Sequence, residues 1–199
     1  MASSLLSLTF LQKLVKIPAL LLLCALFFNN CQSHLAEIAP EKFAPSITLP
    51  LFFDPQNPSD DHNNQKQKNL SLADFKGKIV ILTFFASWCE GCREELPSLV
   101  KLKKNLPNKL EVLAIAIDDE ENSLKKLLQE SGANFPVLLD NKGISRKTFG
   151  LSGVPESFVI GADGKFKMLF DYQNNEPALR LIGPRDWTHP AFAKQIGAL

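Results

Sequence analysis

Residues 78–92 read KIVILTFFASWCEGC, and the interpretation of the whole chain begins with this stretch. The run from Lys78 to Phe85 is rich in β-branched and aromatic residues and follows Gly77, which is typical of a buried central strand. Cys89 and Cys92 come directly after this strand, where a helix is predicted to begin. We therefore expect Cys89 to be exposed at a helix N-terminus, where unpaired backbone N–H groups favour a thiolate.

The spacing of the two cysteines predicts thiol–disulfide chemistry. Cys89 is the predicted nucleophile, and Cys92, one turn further along the helix, is close enough to attack a mixed disulfide and release the substrate. The chain has four cysteines, and the other two, Cys24 and Cys31, belong to an N-terminal segment. This count excludes a framework of structural disulfides.

A cysteine pair at this spacing has two other roles in proteins, a zinc half-site and a static disulfide. A tetrahedral zinc site needs further ligands, and the remaining cysteines lie in the N-terminal segment. A static disulfide between Cys89 and Cys92 would close so short a loop that it would restrict the unfolded chain very little. Redox turnover is therefore the favoured role, with no metal and no cofactor expected.

Length and charge limit the classes of partner. The chain has 199 residues, which suits one domain after an N-terminal segment is set aside. Its 22 basic and 21 acidic residues give a net charge of +1. Such a balance gives no electrostatic reason to expect a nucleic-acid partner.

The first 31 residues predict export or anchoring. Lys13 and Lys16 precede an apolar stretch from Ile17 to Phe28, which has the length of a signal-peptide core. Cys31 has the position of a lipoprotein cysteine, although Asn30 stands where a small residue is usual. Three outcomes stay open: lipidation at Cys31, a retained membrane anchor, or cleavage further along.

We divide the chain into a signal peptide or anchor (1–31), a tether (32–45) and a folded domain (46–199). Within the domain, apolar periodicity predicts alternating strands and helices, and the polar stretch 54–69 is a predicted solvated loop. The other predicted elements are a helix from Cys92 to Lys104 kinked at Pro97, a strand at 111–117, a helix closed by Gly132, a strand at 135–140, a hairpin of 158–160 with 165–170, and a final helix capped by Thr188. This order predicts an α/β fold in which helices flank a central mixed β-sheet, with an additional N-terminal β-hairpin.

Several segments carry a family resemblance. They are Ala44-Pro45, residues 70–78 (LSLADFKGK), residues 86–97 (ASWCEGCREELP), residues 153–158 (GVPESF) and residues 183–187 (GPRDW). Over about residues 44–199 the chain resembles the thioredoxin superfamily, and within it the TlpA/ResA/DsbE-like branch of membrane-tethered extracytoplasmic thiol–disulfide oxidoreductases. The resemblance implies a thioredoxin-like fold.

The resemblance also implies roles for individual residues. Val154-Pro155 would form a cis peptide against the disulfide and align the substrate chain, and Trp88 would shield one side of Cys89. Glu95 matches a glutamate that relays protons or raises cysteine pKa values in this branch, although an ordinary acidic residue in a helix's first turn explains it equally well. Thr83 stands where thioredoxin has a buried aspartate. Threonine cannot act as an acid or base at neutral pH, so another group must carry protons to and from the cysteines.

Glu90 and Gly91, the two residues between the cysteines, are predicted to tune the redox potential. Neither is a histidine that could donate to the thiolate, and Glu90 adds negative charge nearby. The Cys89 thiolate should therefore be less favoured than in the strong oxidant DsbA, which predicts a reductant.

The leading functional hypothesis is a periplasmic reductase of cysteine pairs. The resemblance implies apocytochrome c or copper-site proteins as its clients. The resemblance implies a membrane electron donor of the DsbD or CcdA type. An alternative is a copper(I) metallochaperone that uses Cys89 and Cys92, since thiolates suit that ion. A peroxidase would need a peroxidatic cysteine in a loop of its own.

Overall fold

The computed structural model describes residues 39–57, 68–117 and 120–199. The predicted export segment, half of the predicted tether and most of the loop 54–69 lie outside these residues. In the described ranges, no helix is long and apolar enough to cross a membrane.

The predicted central strand is β3 (Ile79–Phe85), and every residue in it is buried. Its side chains alternate between two apolar clusters: Ile79 and Ile81 pack into one, and Val80 and Leu82 into the other. A strand buried on both faces reads as a continuous apolar run, which explains the sequence of this segment.

The sheet is mixed, as predicted. β4 (Leu110–Ala116) pairs parallel to β3 on one side, and β6 (Glu156–Ile160) pairs antiparallel to it on the other. The remaining strands are β1 (Thr48–Phe53), β2 (Asn69–Ser71), β5 (Val137–Leu139), β7 (Phe166–Lys167), β8 (Leu169–Asp171), β9 (Glu176–Ala178) and β10 (Leu181–Ile182). The strand order is β10-β6-β3-β4-β5-β1-β2, with β7 paired to β6, while β8 and β9 form a separate two-stranded sheet.

β1 pairs antiparallel with β2, but most of the connection between them lies outside the described residues, so the N-terminal β-hairpin stays a prediction. The end of the predicted tether is part of the fold. The backbone N–H groups of Glu41 and Ala44 donate to the carbonyls of Phe166 and Gly164, at 3.2 and 2.9 Å. The domain boundary at Ser46 stays a prediction, and these two contacts show that the chain already meets the sheet a few residues before it.

Four α-helices and one 3-10 helix (Leu72–Phe75) complete the described fold. The α-helices are α1 (Glu90–Asn105), α2 (Glu121–Ser131), α3 (Ile144–Phe149) and α4 (Pro190–Ala198). α1 continues through Pro97. Gly132 ends α2 in the left-handed conformation, with φ of 67°, so the predicted C-cap is confirmed. The short helix α3 was not predicted.

Two predictions on the C-terminal third are wrong. The second strand of the predicted hairpin stops at Lys167, because residues from Leu169 onward pair instead with Glu176–Ala178. Thr188 does not cap the last helix: Pro190 occupies its first position, so the cap is His189, whose Nδ1 accepts from the backbone N–H of Ala191 at 3.3 Å.

Candidate active site

Cys89 and Cys92 lie where the central strand meets α1. Cys89 is the N-cap of this helix, Cys92 lies in its first turn, and a disulfide joins them, with 5.3 Å between their Cα atoms. The backbone N–H of Cys92 points at the Cys89 sulfur, 3.1 Å away. This N–H and the helix N-terminus would stabilise negative charge on Cys89 after reduction.

The expectation that Cys89 is exposed is wrong for the disulfide form. Only 8% of the residue is accessible, and Cys92 is fully buried. The Val154 carbonyl oxygen lies 3.5 Å from the Cys89 sulfur, and the Val154-Pro155 peptide bond is cis. The backbone N–H of Gly183 in turn donates to the Pro155 carbonyl at 2.8 Å. The loop opposite α1 therefore covers part of the sulfur.

The three residues next to the cysteines differ in their surroundings. Trp88 is 71% exposed and presents an apolar surface to solvent immediately before Cys89. The Glu90 side chain points to solvent, with its carboxylate 4.0 Å from the Arg93 guanidinium. Gly91 packs closely against Pro184. A Cβ added at position 91 would lie only 3.1 to 3.4 Å from the carbons of the proline ring. Close packing thus explains the glycine between the cysteines.

Glu95 lies in the second turn of α1 and is 2% exposed, so it is not an ordinary first-turn acidic residue. Its Oε1 accepts a hydrogen bond from Trp187 Nε1 at 2.7 Å. Burial raises the pKa of the Glu95 carboxyl to about 7, and the hydrogen bond from Trp187 only partly opposes this rise. The carboxyl can therefore exchange a proton near neutral pH.

Glu95 also lines a cavity of about 200 Å³ beside the start of α1. Ser98 and Gln173 contribute to its wall, as do Pro184 and Arg185. Ser98 links α1 to the segment 183–187, because its hydroxyl oxygen accepts from the Trp187 backbone N–H at 3.1 Å and its hydroxyl donates to the Glu95 carbonyl at 2.7 Å. The proton-exchanging group is thus held in a defined pocket.

A buried ion pair holds the other side of this pocket. Arg185 donates through Nε and Nη2 to the two carboxylate oxygens of Asp171, at 3.0 and 2.7 Å, and both residues are almost completely buried. Arg185 Nη1 also donates to the Gly183 and Pro184 carbonyls. The pair ties the segment 171–180 to the segment that packs on Gly91.

Sequence reasoning missed Trp187, Arg185 and Asp171 as parts of the site. The available signal was the segment 183–187, which carries the family resemblance but contains no obvious catalytic residue.

Thr83 is buried opposite Ser157, whose hydroxyl donates to it at 2.9 Å. In the described ranges, no group of three or more histidine, cysteine or acidic residues could hold a metal ion.

The raised pKa of Glu95 predicts a stability that depends on pH. The unfolded carboxyl ionises near pH 4.5, whereas the folded carboxyl keeps its proton to about pH 7. The folded state binds the extra proton between these values, so the free energy of unfolding should fall as pH rises through this window, by about 3 kcal/mol in total. Glu95→Gln stays neutral and should remove this decline.

Urea unfolding between pH 4 and 8 measures the effect. We expect Glu95→Gln to unfold close to wild type at pH 4 and to be the more stable protein at pH 8. The exposed neighbour Glu94→Gln is the control and should keep the wild-type slope. A Glu95→Gln protein with the same pH dependence as wild type would contradict the assignment.

The fold and the cysteine pair at the strand–helix junction define a thioredoxin-like protein. A family model described as the AhpC/TSA family matches residues 40–168, and the chain belongs to that family. Among curated relatives, the thiol-disulfide oxidoreductase ResA of Bacillus thuringiensis subsp. konkukian is 36% identical over 99 residues, or 49% of this chain and 57% of that protein. ResA of Bacillus subtilis is 28% identical over 169 residues, or 78% of this chain and 87% of that protein.

A solved structure gives the same assignment of fold. The structure of a candidate DsbE thiol:disulfide interchange protein from Chlorobium tepidum superimposes with a TM-score of 0.62 at 27% identity, covering 80% of this chain and 96% of that one. The thioredoxin-like fold predicted from the sequence is therefore confirmed.

The match to the first of the ResA relatives spans just over half of that relative's length.

Proposed function

We propose that the protein is a thiol–disulfide oxidoreductase that reduces cysteine pairs in client proteins outside the cytoplasm. The observation that carries this proposal is the Cys89–Cys92 disulfide at the N-terminus of α1, covered by the cis-proline loop. The likeness to proteins named ResA supports it. A purely structural disulfide would not explain a protonatable Glu95 three residues after Cys92.

The reaction is a two-electron exchange. The Cys89 thiolate attacks one sulfur of the client disulfide, so that a Cys89–client bond forms and the client's own bond breaks, releasing one client thiolate. The Cys92 thiolate then attacks the Cys89 sulfur, forming the intramolecular disulfide and releasing the second client thiolate. Both client thiolates take up a proton. The client gains two electrons and the Cys89–Cys92 pair loses them.

Glu95 is the proposed proton carrier. With a pKa of about 7, its carboxyl is partly protonated at neutral pH and can accept the Cys92 thiol proton or return one. Thr83 cannot do this, because a hydroxyl neither gains nor loses a proton at neutral pH. The position of Glu95 on the same helix as Cys92 supports this role.

The proposed direction of electron flow is toward the client. Glu90 and Gly91 supply no positive charge and no histidine donor to the Cys89 thiolate. The Glu90 carboxylate is itself paired with the exposed Arg93 guanidinium. A less stabilised thiolate makes the dithiol a better reductant. In an oxidising compartment the pair would then be re-reduced by a membrane donor of the DsbD or CcdA type.

The proposed setting follows from the N-terminus. Residues 1–31 would direct export or anchor the chain, through lipidation at Cys31, a retained membrane anchor or cleavage further along, and residues 32–45 would link that segment to the domain. Trp88, Val154 and Pro155 would contact the client, for which apocytochrome c and copper-site proteins are the two candidates.

Trapping identifies the client. Cys92→Ala cannot resolve the intermediate, so Cys89 should remain in mixed disulfides that dithiothreitol releases and mass spectrometry identifies. The double variant Cys89→Ala/Cys92→Ala is the control and should trap nothing. Recovery of no disulfide-linked protein from the cell envelope would count against the proposal. A protein that instead holds one copper(I) against a dithiol competitor would favour the metallochaperone alternative.

A further inference from the structure

Glu156 is a buried carboxylate that directly follows the cis-proline. It is fully buried at the start of β6. One carboxylate oxygen, Oε1, accepts hydrogen bonds from the backbone N–H groups of Ser152 and Gly153, at 2.7 and 2.8 Å, and from the Ser152 hydroxyl. The carboxylate therefore closes the loop 152–156 on itself. The carbonyl of Val154 at 3.5 Å from the Cys89 sulfur belongs to this same loop.

The second carboxylate oxygen, Oε2, is buried and has no hydrogen-bond partner among the described residues. The positively charged partner of Glu156 is the Arg180 guanidinium. Its Nη1 lies 3.6 Å from Oε2, which is within ion-pair range but too far for a hydrogen bond. A buried carboxylate without a cation nearby is strongly unfavourable. Arg180 therefore supplies the positive charge that faces the buried Glu156 side chain.

Arg180 is itself held in place from three sides. Its guanidinium donates to the Phe149 and Gly150 carbonyls, at 2.7 and 3.0 Å, where α3 ends. It also lies over the Phe158 ring, 5.4 Å from the centroid. Arg180 comes from the segment 171–180, so this segment reaches both the Glu95 pocket, through Asp171, and the cis-proline loop.

We propose that Glu156 and Arg180 are a positioning pair that fixes the Val154-Pro155 backbone at the distance from Cys89 that a client polypeptide requires. The inference rests on the proposed function, because it concerns how a client is held during disulfide exchange. Neither residue touches the reacting sulfurs. Glu156 acts through the backbone of Ser152 and Gly153, and Arg180 acts through Glu156.

This role distinguishes between two kinds of substrate. A polypeptide client must align its backbone with the loop, whereas a small disulfide needs only access to the Cys89 sulfur. Displacing a positioning element by about 1 Å can reduce a rate by as much as about 100-fold. Loss of the pair should therefore slow the reaction with a polypeptide and leave the reaction with a small disulfide nearly unchanged.

The test uses single turnover of the pre-reduced protein, followed by alkylation and mass spectrometry. The substrates are insulin and hydroxyethyl disulfide, which has no peptide groups. We expect Glu156→Gln and Arg180→Met to slow oxidation by insulin about tenfold and to keep the rate with hydroxyethyl disulfide within about twofold of wild type. Arg146→Gln, which removes an exposed arginine of α3, is the control and should match wild type with both substrates.

The outcomes separate the two proposals. A wild-type dithiol that neither substrate oxidises would overturn the proposed function. A reactive wild type whose variants slow equally with both substrates, or with neither, would overturn the positioning role. If Arg180→Met does not fold, two milder variants replace it: Glu156→Gln keeps the shape of the side chain, and Arg180→Lys keeps the charge. The ratio of the rate with insulin to the rate with hydroxyethyl disulfide in these variants then tests the positioning role.

Discussion

Replacing Cys89 by serine is expected to abolish disulfide reduction, with a loss of at least about 1,000-fold in the rate of insulin reduction. The thiolate is the attacking species, and a serine hydroxyl stays protonated at neutral pH. Cys92 cannot take over, because it is fully buried beneath Cys89 in the disulfide form. Dithiothreitol-coupled insulin precipitation measures the loss.

Cys92→Ser is the matched variant for this experiment. It keeps the Cys89 nucleophile at the N-terminus of α1 and should complete the first exchange with one equivalent of insulin. In the absence of dithiothreitol it should then stop at the mixed disulfide, because the resolving thiol is missing. The two variants thus separate attack from resolution. A Cys89→Ser protein with more than a few per cent of wild-type turnover would contradict the assignment of the nucleophile.

Asp171→Asn is expected to lower the free energy of unfolding by about 3–5 kcal/mol, because it leaves the buried Arg185 guanidinium without its counter-charge. Asp171 accepts two charged hydrogen bonds from Arg185 and a further one from Asn174 Nδ2 at 2.9 Å. Urea unfolding at neutral pH measures the change. Glu130→Gln breaks an exposed ion pair with Arg93 and should change stability by less than about 1 kcal/mol.

A double-mutant cycle isolates the pair. Asp171→Asn combined with Arg185→Met removes both charges, so the double variant should lose clearly less stability than the sum of the two single variants. Additive losses would mean that Asp171 and Arg185 are not energetically coupled.

The central strand, the helix after Cys89 and the C-cap at Gly132 could be predicted because each depends on residues adjacent in sequence. A continuous apolar run indicates a strand buried on both faces, and a glycine after an amphipathic helix indicates its end. The cis peptide at Val154-Pro155 followed from the resemblance, and the structure has it. The central strand, the helix after Cys89 and the cis peptide adjoin the cysteines and define the class of chemistry.

The surroundings of Glu95 could not be predicted, because they depend on distant residues. Trp187 is 92 positions away in the chain from the carboxylate to which it donates. The residues next to Glu95 in the sequence do not indicate that Trp187 buries it. The raised pKa of the Glu95 carboxyl could therefore be recognised only from the tertiary structure. The burial of Cys89 has a similar origin, since the covering carbonyl belongs to Val154, 65 positions later.

The helix α3 was missed for a different reason. It has six residues between two left-handed glycines, Gly143 and Gly150, which is too short for an apolar period to be recognised. A capping signal was present in Asp140, whose carboxylate accepts from the backbone N–H groups of Ile144 and Ser145 at 2.9 and 2.6 Å. This helix matters to the site because its last carbonyls hold Arg180.

Equilibrium titration of the Cys89–Cys92 pair in dithiothreitol and glutathione buffers tests the central claim most directly, with the redox state read by alkylation and mass spectrometry. A reductant should titrate as one two-electron couple, with a midpoint nearer the roughly −270 mV of thioredoxin than the roughly −120 mV of DsbA. A midpoint near that of DsbA, or a disulfide that the buffers cannot reduce in the folded protein, would contradict the account.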